Sequence, residues 1–227
     1  MTFIFEKFKG TFFESLILDT ITTIYGPPGS GKSTLCFEYI SLFLKEGKSI
    51  IYIDTEGGFS VERLKQINPQ IDLEKIIVLS PKNFEEQQKI IENLNKQIKN
   101  SKSIALVIVD SLVMLYRLKL GDSPQQINSK LAGQLQLLTE ISRTFHIPVI
   151  VTNQMYTNFE TKENKMVGGT LIEYWSKTII ELRKEQDYRI ALLKKHKFLK
   201  EGSEIKMEIK NEGFFHYKLR TFNIFSR

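Results

Sequence analysis

The chain has 227 residues, 41% of them hydrophobic, and a net charge of +6 at pH 7. That supports one sizeable core, so the expected organisation is a single domain over 1–227. No run approaches the roughly 18 apolar residues of a membrane span. The opening "MTFIFEKFKG" lacks a signal-peptide core, and the single Cys36 cannot make an internal disulfide, so the default location is the cytoplasm.

In chain order, "TITTIY" (20–25) reads as a buried strand and runs into "GPPGSGKS" (26–33). A helix is expected over 32–46, then strands at "SIIYID" (49–54) and "KIIVLS" (75–80). Asn83 followed three residues later by Glu86 marks a helix start, with Ile90, Ile91, Leu94 and Ile98 on one face. The strand "IALVIVD" (104–110) comes next, then a helical face of Leu131, Leu135, Leu138 and Ile141, then "IPVIVTN" (147–153). Nearly continuous apolar strands alternating with helices predict an α/β fold, a mostly parallel sheet covered on both faces. After about residue 176, "KTIIELR", "YRIALLKK" and "SEIKMEIK" predict an antiparallel extension of the sheet.

The charge is unevenly placed. Residues 1–176 hold 19 basic and 19 acidic side chains, whereas 177–227 hold 13 basic and 7 acidic. Two readings of that excess stay open: attraction of a polyanion, or lysines that keep the edges of a strand meander soluble.

Gly26, Pro27, Pro28, Gly29, Ser30, Gly31, Lys32 and Ser33 fit the pattern G-x-x-x-x-G-K-S/T between a strand and a helix, with Thr34 following. Glycines let backbone N–H groups converge on phosphate oxygens, and the helix N-terminus adds partial positive charge. Lys32 suits the β- and γ-phosphates and Ser33 suits Mg²⁺. Asp110 ends an apolar strand where a carboxylate can serve the same Mg²⁺. Glu56 in "YIDTEGGFSVERL" (52–64) has the chemistry to hold and deprotonate a water in line with a γ-phosphate. Asp54, two residues earlier, either orients Ser33 or the metal's waters, or closes the strand.

Those three segments, "YIDTEGGFSVERL", "ALVIVDSLVMLYR" and "IPVIVTNQM", resemble the RecA superfamily in its archaeal and eukaryotic recombinase branch, over about residues 20–220. The resemblance implies a RecA-like P-loop NTPase core, Glu56 as water activator, Asp110 for Mg²⁺, Gln154 as sensor of the γ-phosphate, and Arg63 stacking on adenine, hence ATP. It implies DNA loops near Arg117–Gln126, with Arg117 and Lys119, and near Met155–Gly168, with Lys162 and Lys165 beside Tyr156 and Phe159. The cradle begins at Gly26, so the N-terminal helical DNA-binding domain of the full recombinases is not expected, nor their filament tether.

That truncation, and Lys195-His196-Lys197 where a Lys-His-Arg type of motif stands, is similar to the RadB group of short archaeal paralogues. The likeness implies a DNA-binding, weakly ATP-hydrolysing accessory of a RadA-type recombinase. It would be nucleoid-associated, with a Holliday-junction resolvase as a further partner and a homodimer allowed. Lys195–Lys197 would cap the nucleotide of a neighbouring subunit, although a lysine at 197 lacks the bidentate fork of arginine. Two alternatives are a DNA-dependent ATPase with its own recombinase activity and a nucleotide-gated adaptor without a DNA role.

Overall fold

The computed structural model describes residues 5–14, 16–119, 123–157 and 164–217. Among them, nine strands form one sheet. Its parallel part holds β1 (Ile21–Tyr25), β2 (Ser49–Asp54), β3 (Ile76–Leu79), β4 (Ile104–Asp110), β5 (Val149–Asn153) and β8 (Ser176–Lys184). The antiparallel part adds β9 (Arg189–Lys195), β10 (Glu204–Lys210) and β11 (Gly213–His216). The order is β11-β10-β9-β8-β1-β5-β4-β2-β3. A separate hairpin pairs β6 (Met155–Thr157) with β7 (Asn164–Met166).

Two apolar layers sandwich the sheet because successive strand residues face opposite ways. On one face Val107, Val109, Val149 and Val151 meet Ile91, Leu94 and Ile98 of α3 (Phe84–Asn100) and Leu131, Leu135, Leu138 and Ile141 of α5 (Pro124–Phe145). On the other, Leu106, Ile108 and Ile150 meet Leu35, Ile40 and Phe43 of α1 (Lys32–Lys45). The α3 start is as the spacing predicts: Asn83 Oδ1 accepts from the Glu86 N–H at 2.8 Å, and Glu86 Oε2 accepts from the Lys82 N–H at 2.9 Å. Cys36 is completely buried in the second layer.

The sequence did not predict β11, the β6–β7 hairpin, or the short helices α2 (Val61–Ile67), α4 (Met114–Lys119) and α6 (Gly169–Trp175). All are too short for periodicity to register. The ends of both expected loops are therefore regular structure. Arg117 and Lys119 lie on α4, Gln126 lies in α5, and Met155–Gly168 opens and closes as paired strands.

The phenylalanines near the start are core residues: Phe5, Phe8, Phe12 and Phe13 are all buried against Tyr39 and its neighbours. Beside them lies a buried carboxylate, Glu38 of α1. Its Oε1 pairs with Lys7 and accepts from the Phe214 N–H at 2.7 Å, which ties the N-terminal segment and β11 to the helix. Gly213 has φ +105°, and a Cβ there would stand 2.0 Å from Glu38 Oε1, so the strand can come this close only as glycine.

Burial outweighs the attraction of Lys7 and holds the Glu38 carboxyl above its ordinary value. In the unfolded chain a glutamate titrates near about 4.3. Between that value and the raised one the folded state keeps the extra proton, so Glu38 makes stability fall as pH rises through that window. Glu38→Gln keeps an acceptor for the Phe214 N–H and is expected to lose this slope. Urea midpoints from about pH 4 to about pH 8 check it; an unchanged slope in the variant would assign the effect elsewhere.

Candidate nucleotide site

The parallel register brings the carboxyl ends of β1, β5, β4 and β2 level: Tyr25 pairs with Asn153, and Asp54 with Asp110. Gly26, Gln154, Ser111 and Thr55 therefore leave the sheet along one edge.

The phosphate loop is shaped by close contacts that only glycine allows. A Cβ on Gly26 would lie 2.3 Å from the Leu182 carbonyl oxygen of β8. Gly31 has φ +101°, and a Cβ there would lie 2.4 Å from Phe214 Cζ and 2.9 Å from Ile209 Cδ1. Gly29, at φ +71°, completes the turn, and Pro27 O accepts from the Ser30 N–H at 3.2 Å. Ser33 and Thr34 occupy the half-buried first turn of α1. Lys32 Nζ donates to the carbonyls of Gly26 at 3.0 Å and Pro27 at 3.2 Å, so its ammonium hangs over the loop. Burial lowers its pKa, against the opposing pull of the Glu56 and Asp110 carboxylates. Ser30 Oγ is buried without a hydrogen-bond partner among the described residues. A glycine cradle, a poised lysine and an orphaned hydroxyl together fit a polyphosphate.

Asp110 is buried, 4% exposed, and both of its oxygens are held. Tyr52 OH donates to Oδ2 at 2.5 Å, and the Thr152 hydroxyl donates to Oδ1. Burial, and then the charge of Asp110, push the Tyr52 phenol far above its ordinary value, so it remains a donor. Each carboxylate oxygen keeps a second lone pair, which suits Mg²⁺ held together with Ser33. Thr55 locks β2 to the turn after β4: its hydroxyl donates to Ser111 O at 2.7 Å and accepts from the Ser111 N–H at 2.8 Å.

Of the two roles left open for Asp54, the structure supports closing the strand. Its Oδ1 accepts from the N–H groups of Gly57 at 2.8 Å and Gly58 at 3.1 Å, and its Oδ2 from that of Phe59 at 3.0 Å. The loop it folds carries Glu56, whose Oε1 accepts from Gln154 Nε2 at 2.7 Å. Gln154 Oε1 in turn accepts from the Arg117 guanidinium.

The remaining expected residues are more dispersed. Arg63 donates to the carbonyls of Lys210 and Asn211, each at 2.8 Å, which pins the β10–β11 turn onto α2. Lys119 pairs with Glu85 at 3.5 Å. Lys165 is exposed on the β6–β7 hairpin opposite Tyr156. Lys162 and Phe159 lie outside the described residues. β9 runs away from the phosphate loop and carries Lys195, His196 and Lys197 with it, so one chain does not bring them to its own cradle. His196 Nδ1 accepts from the N–H groups of Phe198 at 3.1 Å and Leu199 at 2.9 Å, and burial lowers its pKa.

Sequence reasoning missed Tyr52, Thr152, Thr55, Arg189 and Lys184. Arg189 Nε donates to Gly29 O at 3.3 Å, and Lys184 Nζ lies 3.6 Å from where a Gly29 Cβ would stand. A tyrosine inside a strand buried on both faces was the available signal for Tyr52, because a buried phenol needs a partner. The two cations are placed by the β8–β9 turn, which no local motif marks.

Fold and loop together define a nucleotide-binding fold of the RecA type. The Rad51 family model matches residues 7–216. The DNA repair and recombination protein RadB of Methanosphaera stadtmanae is 41% identical over 201 residues, covering 85% of this chain and 86% of that protein. RadB of Methanocaldococcus jannaschii is 42% identical over 200 residues, covering 85% and 91%. A crystal structure of the RadB recombinase superposes with a TM-score of 0.75 at 34% identity, covering 90% of this chain and 94% of that one. The chain belongs to the Rad51 family and, within it, to the RadB proteins.

Hydrogen bonds to a charged acceptor each contribute about 1.5–3 kcal/mol and do not add fully. Asp54→Ala, which removes the acceptor of three N–H groups, is therefore expected to cost about 2–4 kcal/mol. Urea denaturation without nucleotide or magnesium checks this, since a metal role would show its loss only when both are present.

Proposed function

We propose that this protein binds ATP with Mg²⁺, hydrolyses it slowly, and binds DNA through the phosphate backbone without reading base sequence. It then acts in the cytoplasm as an accessory or regulator of a RadA-type recombinase in homologous recombination and DNA repair, exchanging no strands itself. A resolvase of branched DNA is a further partner on this reading.

The observation that carries it is Glu56 on the turn after β2, at the same sheet edge as the phosphate loop, where its Oε1 accepts from Gln154 Nε2 at 2.7 Å. The loop N–H groups, Lys32 and the start of α1 bind the phosphates, and Ser33 and Asp110 would hold Mg²⁺. The bound metal supplies charge neutralisation on the phosphoryl oxygens. Glu56 orients a water and takes its proton. Slow turnover is expected from two features. Glu56 has one oxygen committed to Gln154, and the cap segment offers Lys197 rather than a forked guanidinium. Arg63, a planar guanidinium already oriented by the Lys210 and Asn211 carbonyls, suits stacking on a purine. For DNA, Arg117, Lys119, Lys165 and Tyr156 project from α4 and the β6–β7 hairpin, which flank Gln154.

The test is a titration of labelled single-stranded DNA with ATP, ADP or no nucleotide, at two salt concentrations, with and without the recombinase. Affinity is expected to fall with salt at a slope of roughly −0.7 per neutralised phosphate; a flat line removes the backbone contact. Glu56→Gln should still bind ATP while losing about 10²- to 10⁴-fold in turnover. Vigorous DNA-stimulated turnover with strand exchange would select an independent recombinase instead. Salt-independent binding of the recombinase with no DNA affinity would select an adaptor.

A further inference from the structure

The phosphate loop is gripped from the last four strands at Gly26, Gly29 and Gly31. The Leu182 carbonyl of β8 stands against Gly26, and the Arg189 guanidinium reaches from β9 to Gly29 O at 3.3 Å. At Gly31 the contact is a side-chain one: a Cβ there would stand 2.4 Å from Phe214 Cζ, the tip of the ring, and 2.9 Å from Ile209 Cδ1. Gly31 is the N-cap of α1, so its placement aims the free N–H groups of the helix's first turn.

Phe214 is itself held in place. It is fully buried, sits opposite Ile209 in the β10–β11 ladder, and donates its N–H to Glu38 Oε1 at 2.7 Å. Glu38 stands on α1, the helix that Gly31 caps, and also pairs with Lys7. Arg63 of α2 grips the turn of the same hairpin through the Lys210 and Asn211 carbonyls. The ring can retreat from Gly31 only by giving up a buried hydrogen bond to a carboxylate.

We infer that Phe214 is a positioning residue for the phosphate loop, and that the antiparallel extension is the plate against which that loop is set. This rests on the reading above that the cradle takes ATP. Several loop N–H groups must meet phosphate oxygens at hydrogen-bond distance together, so a small shift of the loop weakens all of them at once. An emptied space beside Gly31 lets the loop sag. An extra atom there displaces it. Phe214, being fully buried, acts through Gly31 rather than on a ligand.

Ile205 is the internal control. It lies on the same face of β10, four residues before Ile209 and so about 13 Å from it. It is buried opposite Ala191 of β9 in the same apolar layer as Phe214. Truncating it removes core volume from the same layer at a distance from the loop.

The experiment measures the affinity of the full chain for ATP and for ADP, each with Mg²⁺, by calorimetry, in conditions where urea denaturation shows each variant folded. Phe214→Leu empties the space at the ring's tip, and Phe214→Tyr adds an oxygen on Cζ. Both are expected to weaken both nucleotides by about 10- to 100-fold, the scale of a loop misplaced by a fraction of an ångström to one ångström. Ile205→Ala should lower the urea midpoint yet keep both affinities within about twofold, as for sites that act independently. Ile209→Val removes only Cδ1 and should weaken both nucleotides in the same direction, which keeps the inference testable if neither Phe214 variant folds. Folded Phe214 variants that bind ATP and ADP like the unaltered protein would reduce the ring to core filling and overturn the inference. So would unchanged affinities in Ile209→Val where the Phe214 variants do not fold, or an equal loss in Ile205→Ala, which would make the effect one of general stability. An unaltered chain that binds neither nucleotide would instead overturn the underlying reading, and the inference with it.

Discussion

Parallel register at the carboxyl edge of the sheet is the constraint on which the site depends. Parallel strands lie about 4.8 Å apart, and β1, β5, β4 and β2 finish level, with Tyr25 beside Asn153 and Asp54 beside Asp110. Residues far apart in sequence, Gly26, Gln154, Asp110 and Glu56, thereby meet without any of them reaching. The chain order of the strands differs from their spatial order, and each crossover within the parallel part is made by a helix that also covers a face. A one-residue slip of β4 against β2 would turn Asp110 to the opposite face of the sheet and separate it from Tyr52. The reciprocal Thr55–Ser111 bonds pin that register at the point where it matters most.

Asp54, Glu38 and Asp110 are all buried acids, and the donors each one meets decide what it can do. Asp54 takes three backbone N–H groups and becomes part of a turn. Glu38 takes a lysine and one N–H and becomes a tie between the N-terminal segment, α1 and β11. Asp110 takes two hydroxyls, from Tyr52 and Thr152, and among the described residues no cation pairs with it. Each oxygen of Asp110 thus keeps a lone pair free, whereas two backbone N–H groups occupy Oδ1 of Asp54 and a third takes Oδ2. That difference suits Asp110, rather than its neighbour Asp54, to a metal.

The fold was legible because its parallel strands are nearly continuous apolar runs separated by helical patterns and motifs with fixed geometry. The phosphate loop and the strand ending in Asp110 could be placed from residue types alone. Asp54 could not be assigned, because choosing between metal and turn needs the positions of the Gly57, Gly58 and Phe59 N–H groups. Tyr52 and Thr152 looked like ordinary strand formers, since β-propensity and function call for the same residues there. Arg117 was legible as a cation but not as a partner of Gln154, a contact that spans 37 positions and depends on where α4 ends. Local patterns report local geometry, and these contacts are made by topology.

The excess of basic residues after position 176 is also clearer in three dimensions. Arg183 is held on both oxygens of Glu181 at 2.8 and 3.1 Å, and Lys210 pairs with Glu208 at 2.7 Å. Lys206 lies over the Tyr188 ring, Lys197 over Phe198, and Lys195 donates to the Glu173 carbonyl. Much of the described excess is thus engaged within the antiparallel extension or on α6, which favours the reading of lysines that keep strand edges soluble. Partner type then matters more than number. A guanidinium already forked onto a carboxylate has little to gain from a phosphate, whereas one resting on a neutral amide has much. By that criterion Arg117, in a segment whose net charge is zero, keeps more capacity for an anion than Arg183 in the basic one.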